Sequence, residues 1–225
     1  MNLHYRHDKR PRRHDLVFVT RQGWRTALGN CSELASDPLI AEWIRKGWPL
    51  VGRRVMPGDS CGVPLGLPLP PFAGKRRIAL VMQPEDIVSV ASPVELKAVS
   101  RVAPRTWRHT LARLHVLAGQ HAVTTRVCGS LAWQAITGLD YVTAESDLDV
   151  LLYVGREVDA LRLTAGLSRI ETQAPMRVDG ELVREDGVAV NWRELRSGTG
   201  EVLLKSVGGI GLVHPRSFLA GRLDS

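Results

Sequence analysis

Hydrophobic positions recur along the chain with two periods, and each change of period marks a new element. In RTWRHTLARLHVLAGQH (105–121), Trp107, Leu111, Leu114 and Leu117 fall three or four apart, the spacing of one helix face. Leu39, Ile40, Trp43 and Ile44 repeat that spacing, with Asp37 as a capping acid before them and Gly47 as a stop after them. DALRLTAGLSRIE (159–171) predicts another helix. Short apolar runs predict strands at DLVFV (15–19) and KRRIALVM (75–82), and PLVGRR (49–54) reads as extended. Residues 57–74, PGDSCGVPLGLPLPPFAG, are dense in Pro and Gly and predict an ordered loop or a series of turns.

Further along, strand and helix signals alternate. TRVCGS (125–130) is a strand ending in a Gly-Ser turn, LAWQAIT (131–137) a short helix stopped by Gly138, and SDLDVLLYV (146–154) a strand. MRVDGELV (176–183) and VAVNWREL (188–195) flank REDG, a hairpin turn, while EVLLKSV (201–207) and GIGLVH (209–214) add short strands. The three prolines and short helical pattern of 84–104 predict a domain boundary. The expected organisation is a smaller α+β domain over 1–92 and a mixed α/β domain over 93–225.

Composition narrows the class. Hydrophobic residues at 44% and charged residues at 24% argue against wholesale disorder. No apolar run reaches the roughly 20 residues of a membrane helix. The basic start, MNLHYRHDKRPRRHDLVFV, has no long apolar run or small-residue cleavage site behind it, so neither a secretory signal nor an anchor is expected. Cys31, Cys61 and Cys128 are widely spaced and odd in number, which fits a reducing cytoplasm. No Cys/His cluster has zinc-site spacing. The net charge of +7 fits either solvated arginines or a polyanionic partner. Aromatics at 5%, with no tract that interleaves them with basic residues, argue against nucleic acid.

The chemistry concentrates in VCGSLAWQAITGLDYVTAESDLDVLLYV (127–154). Residues two apart in a strand share a face, so Asp147 and Asp149 are expected side by side. Two such carboxylates repel, and their partial burial needs compensation. A divalent cation supplies it, and Mg²⁺ prefers carboxylate and phosphate oxygens. Gly129 lets a backbone approach a ligand, and Ser130 is expected to cap the following helix and leave its N–H groups facing an anion. Either motif alone is common in purely structural settings. Their order is more specific.

Strand, Gly-Ser, helix, then a strand carrying D-x-D resembles the nucleotidyltransferase superfamily. That resemblance implies a third carboxylate on a later strand. Asp179 is favoured, Glu181 is the alternative, and Glu194 is a weaker candidate. The interval LAWQAITGLDYVTAES is long for the superfamily.

A narrower resemblance covers nearly the whole chain. The phrases GSLAWQAITGLDYVTAESDLDVLL, RVDGELVREDGVAVNWREL, HDLVFV, WPLVGRR, VPLGLPLP and GKRRIAL resemble the phosphoribosyl-dephospho-CoA transferase of malonate decarboxylase, the MdcG family. The resemblance implies a Mg²⁺-dependent nucleotidyltransferase, with Mn²⁺ an alternative metal. Its donor is 2'-(5''-triphosphoribosyl)-3'-dephospho-CoA and its acceptor a serine of the acyl-carrier-protein subunit. Asp147 and Asp149 would hold the metal. Asp147 or Asp179 would help deprotonate the serine, and Gly129 and Ser130 would bind the pyrophosphate portion. Ser146 would support the acidic pair by a hydrogen bond. Lys205, inside an apolar strand, would meet the leaving pyrophosphate or simply snorkel. Lys75, Arg76 and Arg77, with Arg53 and Arg54, would bind donor phosphates or the acidic carrier, or form a solvated surface. Trp133 and Trp192 are expected in the core, and His109, His115 and His121 on a helix surface or in packing. The alternatives are the corresponding citrate lyase transferase, another nucleotidyltransferase, and a non-catalytic phosphate- or protein-binding module.

Overall fold

Helical spacing from Leu39 to Ile44 produces a helix with both expected ends. The Asp37 carboxylate accepts the Leu39 N–H at 2.8 Å, and Gly47 closes the helix in the left-handed conformation at φ 65°. The structure, a computed structural model, describes residues 3–6, 10–29, 32–197, 200–206 and 208–220. Cys31, Val207 and parts of the basic N-terminal stretch lie outside the described residues. The chain divides into two compact units, 1–93 and 94–225.

In the first unit, six strands form an antiparallel sheet: β1 (Tyr5–Arg6), β2 (Leu16–Val19), β3 (Leu50–Gly52), β4 (Val63–Pro68), β5 (Arg77–Met82) and β6 (Ile87–Ala91). Their spatial order is β1-β6-β2-β3-β4-β5. The helices of this unit are α1 (Arg21–Leu28), α2 (Ser32–Ala35) and α3 (Pro38–Lys46). Leu16, Val17, Trp24, Ile40, Trp43, Leu50, Leu65 and Leu67 build the core. One expectation needs correction. The Pro/Gly-rich stretch contains β4, in which Leu65 and Leu67 are fully buried while Pro64, Gly66 and Pro68 alternate with them. The turn-forming residues hid a period-2 pattern. The stretch 84–104 supplies β6, which sits between β1 and β2 inside the sheet, and the division between the two units falls after it, at Pro93.

The second unit contains β7 (Val94–Glu95), α4 (Leu96–Val99), α5 (Arg108–Gln120), β8 (Thr124–Val127), α6 (Gly129–Thr137) and β9 (Leu148–Tyr153). It continues with α7 (Ala160–Glu171), β10 (Val178–Val183), β11 (Ala189–Asn191), α8 (Trp192–Ser197), β12 (Val202–Lys205), β13 (Ile210–Val213) and α9 (Pro215–Ala220). The seven strands run in the order β13-β12-β11-β10-β9-β8-β7. β9 and β10 are parallel and joined through α7, as a crossover requires; the other pairs are antiparallel. Leu148, Val150, Leu152, Val178, Leu182 and Val190 are buried in this sheet, and Trp133 and Trp192 are core residues. The chain as a whole is mixed α/β, with two sheets. VAVNWREL does not stay extended: β11 stops at Asn191, whose side-chain oxygen accepts the Arg193 N–H at 2.9 Å and starts α8. Among the described residues no helix is long and apolar enough to cross a membrane.

Candidate active site at the start of two parallel strands

β8 ends where β9 and β10 begin, and the candidate acids lie at that end of the sheet. The Cys128 N–H donates to the Asp149 carbonyl at 3.1 Å, which ties the Gly-Ser turn to the acidic strand. Gly129 has φ 64°, and a Cβ there would stand 1.8 Å from Asp149 Oδ2. The Asp149 carboxylate therefore lies directly against Gly129, the first residue of α6. Only glycine leaves that space and takes that backbone conformation without strain. A negative side chain at the start of a helix is also favoured by the peptide dipoles.

Parallel pairing sets Asp179 beside Asp149 in register. The two residues are neighbours one strand spacing apart, roughly 4.8 Å. Asp179 Oδ1 accepts from Asn191 Nδ2 at 2.9 Å and from the Arg193 guanidinium at 3.3 Å. Arg193 also pairs with Glu171, donates to the Val178 carbonyl and stacks over Trp192, so it is braced on three sides. Asp147 is half-buried, one residue before β9, and its side chain has no partner among the described residues. The same holds for the Ser130 hydroxyl.

Several expected roles change. Ser130 does not cap α6; the helix already begins at Gly129, with Cys128 at the cap position and no capping side chain. Ser146 does not bond the acids. Its buried hydroxyl accepts the Thr143 N–H at 2.9 Å and closes the turn that leads into Asp147. Lys205 Nζ pairs with Glu181 at 2.8 Å, so each half-buried charge neutralises the other. Glu194 accepts the Leu203 N–H at 2.7 Å and anchors β12. Arg53 is bound to Asp59 through two bonds, at 2.7 and 2.6 Å, and to the carbonyls of Leu65 and Leu80. That makes it a brace within the first unit. Lys75, Arg76 and Arg77 lie in the same unit at the β4–β5 turn; all three are exposed, and Arg76 reaches Asp37 at 3.3 Å.

The long interval between Ser130 and Asp147 has a physical explanation. Gln134 Oε1 accepts the N–H groups of Tyr141 and Val142, and its amide donates to the Val102 carbonyl. One α6 side chain thus pins the returning loop, and Tyr141 is buried beneath it, which pushes its phenol pKa upward. The sequence reading missed Asn191 and Arg193. Their signal was an Asn two residues before an Arg at a strand-to-helix junction. A cavity of about 520 Å³ opens at the opposite ends of β9 and β10, lined by Arg156, Arg184 and Phe218 among others, and none of the candidate residues borders it.

No three His, Cys, Asp or Glu side chains form a closed metal-ligand set among the described residues. The oxygen chemistry of Asp147 and Asp149 still fits Mg²⁺ or Mn²⁺ shared with a phosphate chain, because Mg²⁺ ordinarily takes one or two carboxylates plus substrate phosphates and water.

Comparison with known proteins joins these observations. Residues 12–93 match the Phosphoribosyl-dephospho-CoA transferase MdcG N-terminal domain, and residues 95–216 match the corresponding C-terminal domain. A phosphoribosyl-dephospho-CoA transferase of Bradyrhizobium diazoefficiens is 50% identical over 218 residues, covering 97% of this chain and 96% of that protein. One from Xanthomonas euvesicatoria is 39% identical over 86% of this chain and 90% of its own length. One from Klebsiella pneumoniae is 27% identical over 88% of this chain and 92% of its own. No solved structure matches the chain significantly.

Proposed function

The chain belongs to the phosphoribosyl-dephospho-CoA transferase family MdcG, and from that membership we propose that it moves a phosphoribosyl-dephospho-CoA group onto a protein. The donor is 2'-(5''-triphosphoribosyl)-3'-dephospho-CoA. The acceptor is a serine of the malonate decarboxylase acyl-carrier-protein subunit, and pyrophosphate is released. The observation that carries the site is the Asp149 carboxylate lying against Gly129 with Asp179 in register beside it.

The serine Oγ forms a bond to the phosphorus next to the ribose. The anhydride bond to the next phosphate breaks, and its electron pair leaves with pyrophosphate. In such a substitution the protein mainly positions and neutralises. The unpartnered Ser130 hydroxyl and the first N–H groups of α6 bind the pyrophosphate portion. Asp147 and Asp149 would hold Mg²⁺, or Mn²⁺, which would neutralise triphosphate charge. Asp179 is oriented through Oδ1 by Asn191 and Arg193, and its Oδ2 takes the serine proton. Lys75, Arg76 and Arg77 contribute exposed cations for the donor phosphates.

Intact mass spectrometry tests this directly. Apo carrier protein, Mg²⁺, the enzyme and the triphosphoribosyl donor are expected to give a carrier mass gain equal to one phosphoribosyl-dephospho-CoA group. EDTA removes the gain and added Mg²⁺ restores it. Gain from ATP alone would indicate a general nucleotidyltransferase, and no gain under any condition would leave a binding module.

A further inference from the structure

Residues 96–139 contain no aspartate or glutamate, although the chain has 23 acids. The same stretch carries Lys97, Arg101, Arg105, Arg108, Arg113 and Arg126. Lys97 lies on α4, Arg101 follows it, Arg105 opens the short 3-10 turn Arg105–Trp107, and Arg108 opens α5. These four are exposed, and none has an acidic partner among the described residues. Some exposed arginines elsewhere do pair with acids, Arg45 with Glu42, Arg76 with Asp37 and Arg162 with Asp159, whereas here four unpaired cations fall within twelve residues of one acid-free stretch. The α4–α5 patch is thus a local excess of positive charge, which the fold does not compensate.

The patch is not flat. A groove of about 440 Å³ runs between α4 and α5, with Lys97, Arg101, Arg108 and His115 around it and the buried Leu96 and Leu111 at its floor. Val102 and Val116 are exposed on the same two segments. Cations on α4, on the turn after it and at the start of α5, over an apolar floor, match a helix that carries carboxylates beside an apolar strip. A compact phosphate group would instead need convergent donors. The patch also adjoins the candidate site. α4 follows directly on β7, whose Val94 pairs with Val127, two residues before Gly129. β7 and β9 are separated by two strand spacings, roughly 10 Å.

We propose that the α4–α5 groove is the docking surface for an acidic helix of the acceptor protein, holding it while its serine reaches the Asp147/Asp149 end of the sheet. This rests on the transferase reading above. Charge complementarity of this kind chiefly accelerates encounter and selects the partner. It therefore acts on the KM for the acceptor and leaves the chemistry at saturating acceptor unchanged.

The test is the triple reversal Lys97→Glu, Arg101→Glu, Arg108→Glu in the full chain, assayed by mass gain of the apo acyl-carrier subunit of malonate decarboxylase. The expected result is an acceptor KM raised about tenfold or more, with kcat and donor KM within about twofold of wild type. Raising salt should weaken acceptor binding by wild type and barely affect the variant. Thermal melting and circular dichroism report whether the variant is folded, and the single variant Arg101→Ala, expected to raise acceptor KM about two- to fivefold, serves if it is not. An unchanged acceptor KM overturns the proposal, and so does a rise in donor KM alone, which would make the patch a donor phosphate site. If wild type itself transfers nothing to the carrier, the transferase reading fails and the docking surface fails with it. Wild-type transfer combined with an indifferent triple variant overturns the docking surface alone.

Discussion

Gly129 and Gly138 bracket α6 with similar left-handed backbones but opposite surroundings. A Cβ at Gly129 meets the Asp149 carboxylate, whereas one at Gly138 meets nothing within 4 Å. Gly138→Ala is expected to cost about 1–2 kcal/mol of backbone strain and to leave transfer intact. Gly129→Ala is expected to add displacement of Asp149 and lower the rate about a hundredfold or more, the scale of losing one preorganised electrostatic contact. Thermal melting and single-turnover mass gain separate the two effects. Asp147→Ala should abolish transfer at unchanged or slightly raised melting temperature, because it removes an unpartnered acid near another. Asp149→Ala should abolish transfer with a small loss of stability, about 0.3–1 kcal/mol, from the helix start it faces. Near-normal activity in both variants would sink the metal assignment. Asp179→Asn keeps an oxygen for Asn191 and Arg193 but loses the proton acceptor, so it should be folded and inactive. A dead Glu181→Gln beside an active Asp179→Asn would reverse that choice.

Pairing across elements gives some charged residues a structural partner. Glu181 on β10 and Lys205 on β12 form one half-buried pair. Lys205→Ala removes one partner of the half-buried Glu181 and should destabilise the second unit by about 1 kcal/mol, with donor KM unchanged. A changed donor KM would give Lys205 a phosphate role after all. In the first unit the Arg53 guanidinium, followed by the Met56 N–H, holds Asp59 down to about 2. A depressed carboxylate contributes stability that is complete above its ordinary range near 4 and lost as the pH falls through about 2. Asp59→Asn is therefore expected to lower the melting temperature at pH 6 and to flatten its fall between pH 4 and pH 2. An unchanged acid profile would refute the brace. The Arg53–Asp59 pair also shows why a basic phrase is a weak site signal: WPLVGRR looks like a phosphate binder until its partner six residues on is seen to occupy it.

At the level of the whole molecule, two exposed basic regions among the described residues have separate assignments. Lys75, Arg76 and Arg77 belong to the first unit, and the acid-free α4–α5 region to the second. Reversing 75–77 should raise the KM for the donor. Reversing the α4–α5 cations should raise the KM for the acceptor. Matched titrations of both substrates decide whether the two effects separate, and equal effects on both substrates would refute the division.

By itself the sequence determined the periodic elements, the alternation of strand and helix and the family. Each rests on local spacing or on phrases read along the chain. Helix α3 with Asp37 and Gly47, helix α5 and strand β9 were legible because their apolar residues keep one period. β4 and α8 were not, because prolines masked one pattern and an Asn-directed turn broke the other. Tertiary structure alone decided the partners. Register set Asp179 beside Asp149, and close approach laid Asp149 on Gly129. It also gave Glu194 to β12 and Lys205 to Glu181. Those pairings span up to dozens of residues and depend on which strands become neighbours, a property that no local spacing encodes.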